Sequence, residues 1–371
     1  MVSIAFAGGG TGGHIYPGLA VAAALRKLIP CRVFWIGAGT GMDRSIVEGA
    51  GLTFFGIPAG KLRRSLSLKN FGDAFRVLAG CFAALSILRR EKPALLFSKG
   101  GFASVPPCAA AAFLGITVFT HESDYSPGLA TRINLLFARR VFTAFAGTEA
   151  FLPPAARSRV TRTGNPIRRE FFEALPERGR AFLGAPQGRP VLLVLGGSLG
   201  ARQLNGLVRD SLPALKEYYF VAHQTGPGND WDIPPDEGYR SWPFIGEDMP
   251  HALAAADLVL CRSGAGTVWE CASLGKPMIL LPLSGPATRG DQVENARCLE
   301  KAGAALVLDG TAGPETLLAL VKLLARDGAR RESMAQAAAA FAPEDAAGLL
   351  AEAIAAQVQR GAFSQGEAGG I

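Results

Sequence analysis

The 371-residue sequence lacks several features of membrane-spanning and secreted proteins. No run of about 18 uncharged apolar residues occurs, which argues against a helix that spans a membrane. No charged and then apolar leader with a small-residue cleavage site precedes the first strand-like segment, so a secretory signal peptide is not expected. The six cysteines lie apart in apolar runs, without the paired spacing of a metal site. They predict buried free thiols in a reducing cytoplasm: Cys31, Cys81, Cys108, Cys261, Cys271 and Cys298.

Charged residues are also scarce, at 19% of the chain against 49% hydrophobic residues. This composition predicts a folded rather than a disordered chain, and the length predicts two domains. The 38 Lys and Arg exceed the 31 Asp and Glu, which gives a net charge of +7. Such a charge favours an anionic partner, either phosphate, nucleic acid or an anionic membrane. A contribution to solubility alone is the alternative interpretation.

A glycine-rich turn near the N-terminus is present, but two motifs that often accompany such turns are missing. Gly8, Gly10 and Gly13 fit G-x-G-x-x-G between an apolar strand and a helix, where backbone N–H groups can approach a phosphate. An NAD site would add an acidic residue at the end of the second strand, but that strand ends "FWIGAGTG", with no acid before Asp43. No G-x-x-x-x-G-K-[ST] occurs either. An NAD-dependent oxidoreductase and a Walker-type NTPase are therefore disfavoured.

Strand-like runs alternate with helical patterns in two successive stretches, which predicts βαβ units and parallel sheets. The predicted strands are 2–7, 33–36, 53–56, 94–97, 117–120 and 141–144, then 191–195, 219–223, 241–245, 257–261, 278–281 and 305–308. The predicted helices are 17–29, 71–90, 104–114, 127–138, 200–215, 248–255, 265–274, 291–302, 314–326, 329–341 and 344–358. Segment 163–190, with Pro, Gly and charge but no strand, is interpreted as the junction. "IAFAGGGTGGH" and "VLLVLGGSLGAR" open the two stretches alike, which predicts two Rossmann-like halves facing one cleft.

Eight segments in order carry a family resemblance: "GGGTGGHIYPGLAVA", "HESDYSPGLATRI", "GNPIR", "GGSLGARQLN", "HQTG", "FIGEDMP", "CRSGAGTVWECASLGKPMILLPL" and "RGDQVENARCLEKAGAA". Together they resemble the MurG family of N-acetylglucosaminyltransferases. The resemblance implies an α/β fold of GT-B type and an inverting reaction without metal or cofactor. In this family N-acetylglucosamine passes from UDP-GlcNAc to the 4-hydroxyl of MurNAc in undecaprenyl-pyrophosphoryl-MurNAc-pentapeptide (lipid I to lipid II). The reaction belongs to peptidoglycan synthesis, and hence to cell shape and division.

The resemblance also implies a division of labour along the chain. Residues 1–163 would form an acceptor-binding and membrane-facing domain, and 164–343 would bind UDP-GlcNAc. Residues 344–371 would form a C-terminal helix and tail, with the helix packing back on the N-terminal domain. The expected location is peripheral, on the cytoplasmic face of the inner membrane, where other cell-wall synthesis proteins are potential partners.

The positions that match the family's nucleotide and sugar contacts lie mostly in the second half. Glu270, on the helix after "CRSGAGT", would accept both ribose hydroxyls, and the start of that helix would offer backbone donors to the diphosphate. The remaining contacts implied by the resemblance are Arg168, Ser198, Ile245 (through its backbone, to uracil), Ala265, Gly266, Thr267, Val268 and Gln292.

Two positions depart from the family pattern. Asp124 in "HESDYSPG" stands where many members have an asparagine near the sugar, and Asp291 stands where many have a second glutamine. A carboxylate accepts hydrogen bonds but donates none unless protonated. Sugar recognition is the property that these two changes affect.

His14 is the preferred base or acceptor-positioning residue, because it lies where the first glycine turn enters a helix. His121 and Glu122 in "THESD" compete for that role, and a packing or capping function is the alternative for His14. The turn itself, through Thr11, Gly12 and Gly13, would hold the acceptor diphosphate.

Segment 61–90 is the predicted contact with an anionic membrane surface, since basic residues flank an apolar helix there. They are Lys61, Arg63, Arg64, Lys69, Arg89 and Arg90. A core helix packed on the sheet is the alternative. For the whole protein, the rival functions are a UDP-sugar epimerase or a glycolipid glycosyltransferase on the same fold. Nucleic acid is not an expected partner, because basic residues are not interleaved with stacking aromatics.

Overall fold

The computed structural model describes residues 1–39, 41–60, 68–197, 200–229, 231–285, 288–342 and 345–368. The chain divides into two compact units. The first unit comprises Met1–Arg168 and the C-terminal segment from Asp345 onward, and the second is Arg169–Glu344. The first division therefore falls five residues after the boundary that the sequence predicts at 163.

The first unit is built on a seven-stranded parallel sheet with the order β3-β2-β1-β4-β5-β6-β7. Its strands are β1 (Val2–Ala7), β2 (Cys31–Ala38), β3 (Thr53–Ile57), β4 (Leu95–Ser98), β5 (Thr117–Glu122), β6 (Arg140–Thr143) and β7 (Val160–Arg162). Its helices are α1 (Gly12–Leu28), α2 (Gly41–Gly49), α3 (Leu68–Glu91), α4 (Val105–Phe113), α5 (Leu129–Asn134), α6 (Pro154–Arg157) and, from the end of the chain, α15 (Ala346–Ala368). Short 3₁₀ turns occupy Phe102–Ser104 and Thr148–Phe151.

The second unit repeats this design with a six-stranded parallel sheet in the order β10-β9-β8-β11-β12-β13. Its strands are β8 (Val191–Leu195), β9 (Phe220–Gln224), β10 (Tyr239–Trp242), β11 (Leu258–Cys261), β12 (Met278–Leu280) and β13 (Ala305–Val307). Its helices are α7 (Arg169–Phe172), α8 (Pro176–Leu183), α9 (Arg202–Leu215), α10 (Met249–Ala254), α11 (Ala265–Ser273), α12 (Asp291–Lys301), α13 (Pro314–Arg326) and α14 (Gly328–Phe341). The two Rossmann-like parallel sheets that the sequence predicts are confirmed.

The alternation of side chains along β1 explains how the first sheet is covered on both faces. Ile4 and Phe6 pack into a cluster with α1 and α15, whereas Ala5 and Ala7 face a second cluster with α3 and α4. Helix α15 contributes Leu350, Ala351, Ile354 and Ala355 to the first of these clusters. The end of the chain is thus part of the core of the N-terminal unit.

Several local details differ from the sequence predictions. Helices α2, α6, α7 and α8 and strand β7 were not predicted, because α2 is short and polar and the others have only three to eight residues. Helix α15 continues to Ala368, beyond the predicted end at 358. All six cysteines are free, but Cys81 and Cys298 are partly exposed rather than buried. Among the described residues, no helix is long and apolar enough to cross a membrane.

Candidate functional site

The first glycine turn, between β1 and α1, is closed by an acid from α2. Gly10 has φ +91°, a conformation that favours glycine, and its N–H donates to the Asp43 carboxylate at 2.9 Å. A Cβ on Gly9 would lie 2.1 Å from Asp43 Oδ2. Asp43 is 1% exposed, and burial raises the pKa of its carboxyl, while hydrogen bonds from the Gly10 and Ala38 backbone lower it. The acid that seemed too late in sequence for a ribose contact therefore holds the turn itself.

His14 lies in the first turn of α1 and packs beside the glycine pair Gly100 and Gly101, which follows β4. Its N–H donates to the Thr11 carbonyl at 3.1 Å, and its ring is partly exposed. A Cβ on Gly101 would lie 2.9 Å from His14 Cδ2 and 2.5 Å from the Gly9 carbonyl. Gly101 also has φ +77°. Only glycine at this position lets the His14 ring and the first turn approach each other in this way.

Thr11, Gly12 and Gly13 form the entrance to α1 next to His14. Thr11 is the N-cap residue and Gly12 begins the helix, so the N–H groups of Gly12 and Gly13 belong to the first helical turn. Such N–H groups have no intrahelical partner and carry a partial positive charge. Thr11 and Gly13 are exposed, which makes this entrance accessible to an anion.

His121 and Glu122, at the end of β5, do not fit the role of general base. His121 is fully buried, its Nε2 donates to the Gly164 carbonyl at 2.9 Å, and its Nδ1 lies 3.0 Å from Lys99 Nζ. Burial and the Lys99 charge lower the pKa of His121 well below its usual range. Both ring nitrogens are therefore engaged in this structure, which argues against His121 as the base.

Glu122 serves the loop that follows β5. Its Oε1 accepts a hydrogen bond from the Asp124 N–H and its Oε2 accepts one from the Gly128 N–H, both at 2.9 Å. Its two oxygens thus hold both ends of a tight loop, and Glu122 is 6% exposed. A structural role for Glu122 follows, so it too is a poor base. Asp124 is partly exposed at the head of this loop.

Arg168 closes the first unit and is positioned by an aromatic ring of α1. Its guanidinium carbon lies 4.8 Å from the centre of the Tyr16 ring, a cation–π geometry. Tyr16 follows His14 by two residues, so Arg168 and His14 are held by the same first turns of α1. The structure thus brings together His14, Arg168 and the glycine turn at one edge of the first sheet.

The second glycine turn, after β8, is tied to the loop after β10 by one amide side chain. Gln224 Nε2 donates to the Gly197 carbonyl at 3.1 Å, and Gln224 Oε1 accepts the Ile245 N–H at 2.8 Å. The Ile245 N–H is thus bonded within the protein. A backbone contact of Ile245 with the edge of the uracil ring is therefore expected through its carbonyl. Ser198 lies outside the described residues.

The N-terminus of α11 presents three of the four predicted contacts. Ala265, Gly266 and Thr267 occupy the first turn after the N-cap residue Gly264. Val268 is different, because its N–H donates to the Gly264 carbonyl at 3.1 Å and its side chain is fully buried. The bonded N–H and the buried side chain argue against a direct contact of Val268 with substrate.

Gln292, in the first turn of α12, is linked to the start of α11. Ser263 Oγ donates to the Gln292 carbonyl at 2.7 Å, and Asn295 Nδ2 donates to the Ser263 carbonyl at 3.1 Å. The Gln292 side-chain oxygen accepts the Leu283 N–H at 3.0 Å. Its NH₂ group is consequently the end that can donate to a sugar hydroxyl. Glu270 is partly exposed on α11, in the same unit.

Asp291 and Arg262 are the charged residues beside the starts of α11 and α12, and each has a partner within the second unit. Asp291, one of the two departures from the family pattern, pairs with Arg289 at 3.3 Å. Arg262 is 8% exposed and donates to the Leu281 carbonyl at 2.9 Å and to Gln203 Oε1 at 3.1 Å. Burial lowers the pKa of Arg262. Local sequence patterns did not point to Arg262, since its acceptors lie 19 and 59 residues away.

Comparison with known proteins places this geometry in a family. Residues 4–143 match the glycosyltransferase family 28 N-terminal domain, and residues 191–350 match the glycosyltransferase family 28 C-terminal domain. A relative from Treponema denticola is 48% identical over 95% of this chain and 97% of its own length. It is named UDP-N-acetylglucosamine--N-acetylmuramyl-(pentapeptide) pyrophosphoryl-undecaprenol N-acetylglucosamine transferase. A Clostridium botulinum protein of the same name is 40% identical over 83% of this chain and 86% of its own length.

Solved structures agree with this placement. The crystal structure of Acinetobacter baumannii MurG is 28% identical and superimposes with a TM-score of 0.73 over 95% of this chain and 99% of that one. UDP-GlcNAc 2-epimerase from Neisseria meningitidis, bound to UDP-GlcNAc, has a TM-score of 0.67 but only 14% identity over 95% of this chain and 99% of that one. The epimerase likeness therefore shows a shared fold and nothing about the reaction.

Proposed function

The chain belongs to glycosyltransferase family 28, and from that membership we infer that it is an N-acetylglucosaminyltransferase of peptidoglycan synthesis. It transfers N-acetylglucosamine from UDP-N-acetylglucosamine to undecaprenyl-pyrophosphoryl-MurNAc-pentapeptide, which converts lipid I to lipid II. The observation that carries this function is 48% identity, over 95% of the chain, to a relative of that name. The sites below are our proposals for how the described residues perform it.

The donor site is proposed on the second unit. The N–H groups of Ala265, Gly266 and Thr267 belong to the first turn of α11 and have no intrahelical partner, so this helix N-terminus would stabilise an anion such as the UDP diphosphate. Glu270, one turn further along, would accept the ribose hydroxyls. Gln292 would donate its NH₂ group to the sugar. These groups bind the leaving diphosphate and sugar without requiring a metal ligand.

The acceptor site is proposed on the first unit, at the entrance to α1. There the N–H groups of Gly12 and Gly13 would meet the acceptor diphosphate. Arg168, which the resemblance assigns to the nucleotide, would here supply a cation to the acceptor diphosphate instead, because it is held on Tyr16 of α1. His14 would take the proton from the MurNAc 4-hydroxyl as its oxygen attacks the anomeric carbon. The bond from that carbon to UDP breaks on the opposite face, so the configuration inverts and UDP leaves with the electron pair. Preorganised donors at the departing diphosphate would contribute the largest part of the rate.

A transfer assay tests both the function and the base. Labelled N-acetylglucosamine is followed from UDP-GlcNAc to lipid-linked MurNAc-pentapeptide, with EDTA present, for the wild type, His14→Ala and His251→Ala. His251 is the matched control, since its Nδ1 accepts the Leu175 N–H at 3.0 Å in the second unit. We expect wild-type and His251→Ala turnover to be equal, and His14→Ala turnover to fall by about 10²–10⁴-fold with UDP binding retained. Absence of transfer by the wild type would overturn the function; an active His14→Ala would overturn only the base.

The membrane contact is proposed on α3, where the structure exposes apolar side chains that a core helix would bury. Phe75, Leu78 and Phe82 are 58%, 54% and 66% exposed along one face of α3. Helix α3 packs against α4, which ends in the exposed Phe113, and α4 packs against α5, beside the exposed Leu136. Exposed apolar side chains on neighbouring helices are typical of an interaction site. Ala84 and Leu88 of α3 are buried, so the helix serves both the core and this surface.

The basic half of the predicted membrane segment is only partly visible. Lys61, Arg63 and Arg64 lie outside the described residues, whereas Arg89 and Arg90 are exposed at the end of α3. We expect the protein to co-sediment with vesicles that contain anionic phospholipid, and to be released as salt rises. Phe82→Ser should weaken this binding without changing turnover on a water-soluble acceptor. Equal binding of Phe82→Ser and wild type would place the contact elsewhere.

A further inference from the structure

A lysine that the mechanism above does not use lies buried at the end of β4 in the first unit, close to the entrance to α1. Lys99 directly follows β4, is 1% exposed, and precedes the glycine pair that packs against the His14 ring. Burying an ammonium group is costly unless its donors are satisfied. A residue retained in so unfavourable a place requires an account in terms of its contacts.

The contacts of Lys99 form a closed network at the carboxyl edge of the first sheet. Its Nζ lies 3.0 Å from His121 Nδ1 and 3.4 Å from Asn165 Oδ1, and it also donates to Ser123 Oγ. An ammonium group has three N–H donors, which matches these three partners. The Gly164 carbonyl can only accept, so His121 carries its proton on Nε2 and offers the Nδ1 lone pair to Lys99.

The network joins segments that are far apart in sequence. His121 and Ser123 belong to the end of β5 and the loop after it, and Asn165 belongs to the segment after β7. Ser123 Oγ donates to Asn165 Oδ1 at 2.9 Å, which closes the ring of contacts. At its backbone, Lys99 donates its N–H to the Ala7 carbonyl at 2.8 Å, immediately before the first glycine turn. The Lys99 side chain therefore fixes the loop that carries Asp124, and its backbone N–H holds the residue before the first glycine turn.

Lys99 also places a positive charge next to two carboxylates. Burial lowers the pKa of Lys99 to about 8, while the charges of Glu122 and Asp124 raise it. Glu122 is already engaged by two backbone N–H groups, whereas Asp124 heads the loop and is partly exposed. Asp124 is also the position at which this chain has a carboxylate in place of an amide.

We propose that Lys99 is a positioning residue for the transfer reaction, whose ammonium group fixes the segment from His121 to Asp124 and balances the Asp124 carboxylate at the sugar. The proposal rests on the function inferred above. It accounts for the departure at Asp124, because a carboxylate with a buried counter-charge keeps a defined orientation. It also predicts a pH dependence, because the counter-charge exists only while Lys99 is protonated.

The sign of that dependence follows from the value near 8. Below this pH Lys99 is an ammonium group, and above it the third donor and the positive charge are lost. Wild-type kcat should therefore fall as pH rises through about 8. Other titratable groups also face this region, and the variants must separate their effects from that of Lys99. They are His14 on α1, Asp43 on α2, and His121, Glu122 and Asp124 at the end of β5.

The experiment measures kcat and both KM values between pH 6.5 and 9.5 for the wild type, Lys99→Met, Lys99→Arg and Asp124→Asn. Lys99→Met keeps an unbranched side chain as far as Cε but removes Nζ, and with it the charge and the donors. We expect it to lower kcat about 10- to 100-fold at pH 7 and to abolish the alkaline fall. Lys99→Arg, which retains the charge, should recover part of kcat. An alkaline fall that persists in Lys99→Met, or a kcat equal to the wild type, would overturn the proposal.

Asp124→Asn provides a test that does not require Lys99→Met to fold. Removing the Asp124 carboxylate removes a charge that favours the ammonium form, so the alkaline fall should move to lower pH. A second test uses the double variant Lys99→Met with Asp124→Asn and does require the Lys99→Met protein to fold. Its loss of kcat should be smaller than the product of the two single losses, because the two charges interact. An unmoved alkaline limb, or fully multiplicative losses, would overturn the charge balance. Wild-type transfer is the reference throughout, and its absence would instead overturn the proposed function.

Discussion

The two glycine turns occupy equivalent places in their sheets and yet are completed in opposite ways. The turn after β1 is closed by the buried carboxylate of Asp43 on the Gly10 N–H, 33 residues away. The turn after β8 is closed by the neutral amide of Gln224, 27 residues away, which holds the Gly197 carbonyl. The first turn already contains an anionic group, whereas the side chain that holds the described part of the second turn is neutral. A shared strand–turn–helix pattern therefore predicts the fold, while a distant partner decides which charge the turn tolerates.

This difference bears on which diphosphate each turn can accept. A ligand diphosphate at the first turn has to bind beyond the Gly10 N–H, at Gly12, Gly13 and Arg168, because Asp43 occupies the inner position. At the second turn the described side-chain bond to Gly197 comes from the neutral Gln224 amide, which suits the UDP diphosphate. Substitutions that exchange or remove these partners should change turnover or substrate affinity differently in the two units.

The largest effect is expected from Gly101→Ala in the first unit. The added Cβ would lie 2.9 Å from the His14 ring and 2.5 Å from the Gly9 carbonyl, so the ring has to move. Displacement of a proton-transfer group by about 1 Å can cost about 100-fold in rate. We expect kcat in the transfer assay to fall by that order, with UDP affinity unchanged.

Gly115→Ala is the matched control for this change. Gly115 has φ +72°, close to the +77° of Gly101, but a Cβ there would have nothing within 4 Å. Both variants carry the same kind of backbone strain, of about 1–2 kcal/mol, so a selective loss in Gly101→Ala reports on the contacts with His14 and the Gly9 carbonyl. Equal kcat values for the two variants would show that the His14 position does not limit the reaction.

An intermediate effect is expected from Gln224→Glu in the second unit. The carboxylate still accepts the Ile245 N–H but cannot donate to the Gly197 carbonyl, and it adds a negative charge beside the turn. We expect UDP to bind about tenfold more weakly, which corresponds to about 1.4 kcal/mol, when measured by calorimetry. The KM for the lipid acceptor should stay the same. Gln187→Glu, at an exposed position of the same unit, is the control for added charge; an equal loss there would point to a general electrostatic effect.

How far the sequence alone predicts this molecule differs between fold and site. Strands β1 and β8 were predicted to the residue, because continuous apolar runs bounded by glycine are the clearest signal of a buried parallel strand. The short elements α2 and β7 carry too few apolar residues for periodicity to detect. The family motifs point to His14, Glu270 and Gln292, and the roles of these residues stay predictions.

The roles of other motif residues depend on partners that local patterns do not reveal. His121 looks like a base in "THESD", but its two nitrogens are taken by Lys99, 22 residues before it, and Gly164, 43 residues after it. Val268 follows Ala265, Gly266 and Thr267, whose N–H groups have no intrahelical partner. The Val268 N–H differs, because it donates to the Gly264 carbonyl. Asp43 illustrates the converse, since a residue dismissed for its spacing proves to hold the turn. Tertiary contacts, which spacing along the chain does not encode, account for each of these differences.

The smallest effect is expected from Asp43→Asn, which makes the first turn resemble the second. The amide keeps an oxygen acceptor for the Gly10 N–H but removes the negative charge. If the acceptor diphosphate binds at this turn, its KM should fall a few-fold, because a like charge beside the diphosphate is removed. The KM for UDP-GlcNAc should not change. Asp43→Ala, which removes the acceptor as well, should instead destabilise the folded protein by about 1–3 kcal/mol.

The pH dependence of Asp43→Asn separates charge from shape. Burial raises the pKa of Asp43 in the folded protein, so below that pKa the wild-type side chain is neutral like the amide. The folded state binds this proton more tightly than the unfolded state, and the wild type therefore loses stability relative to Asp43→Asn as pH rises through the raised pKa. The ratio of their acceptor KM values should likewise approach one in acid and grow toward neutral pH. A ratio that stays constant across this range would mean that the acceptor diphosphate binds away from the first glycine turn.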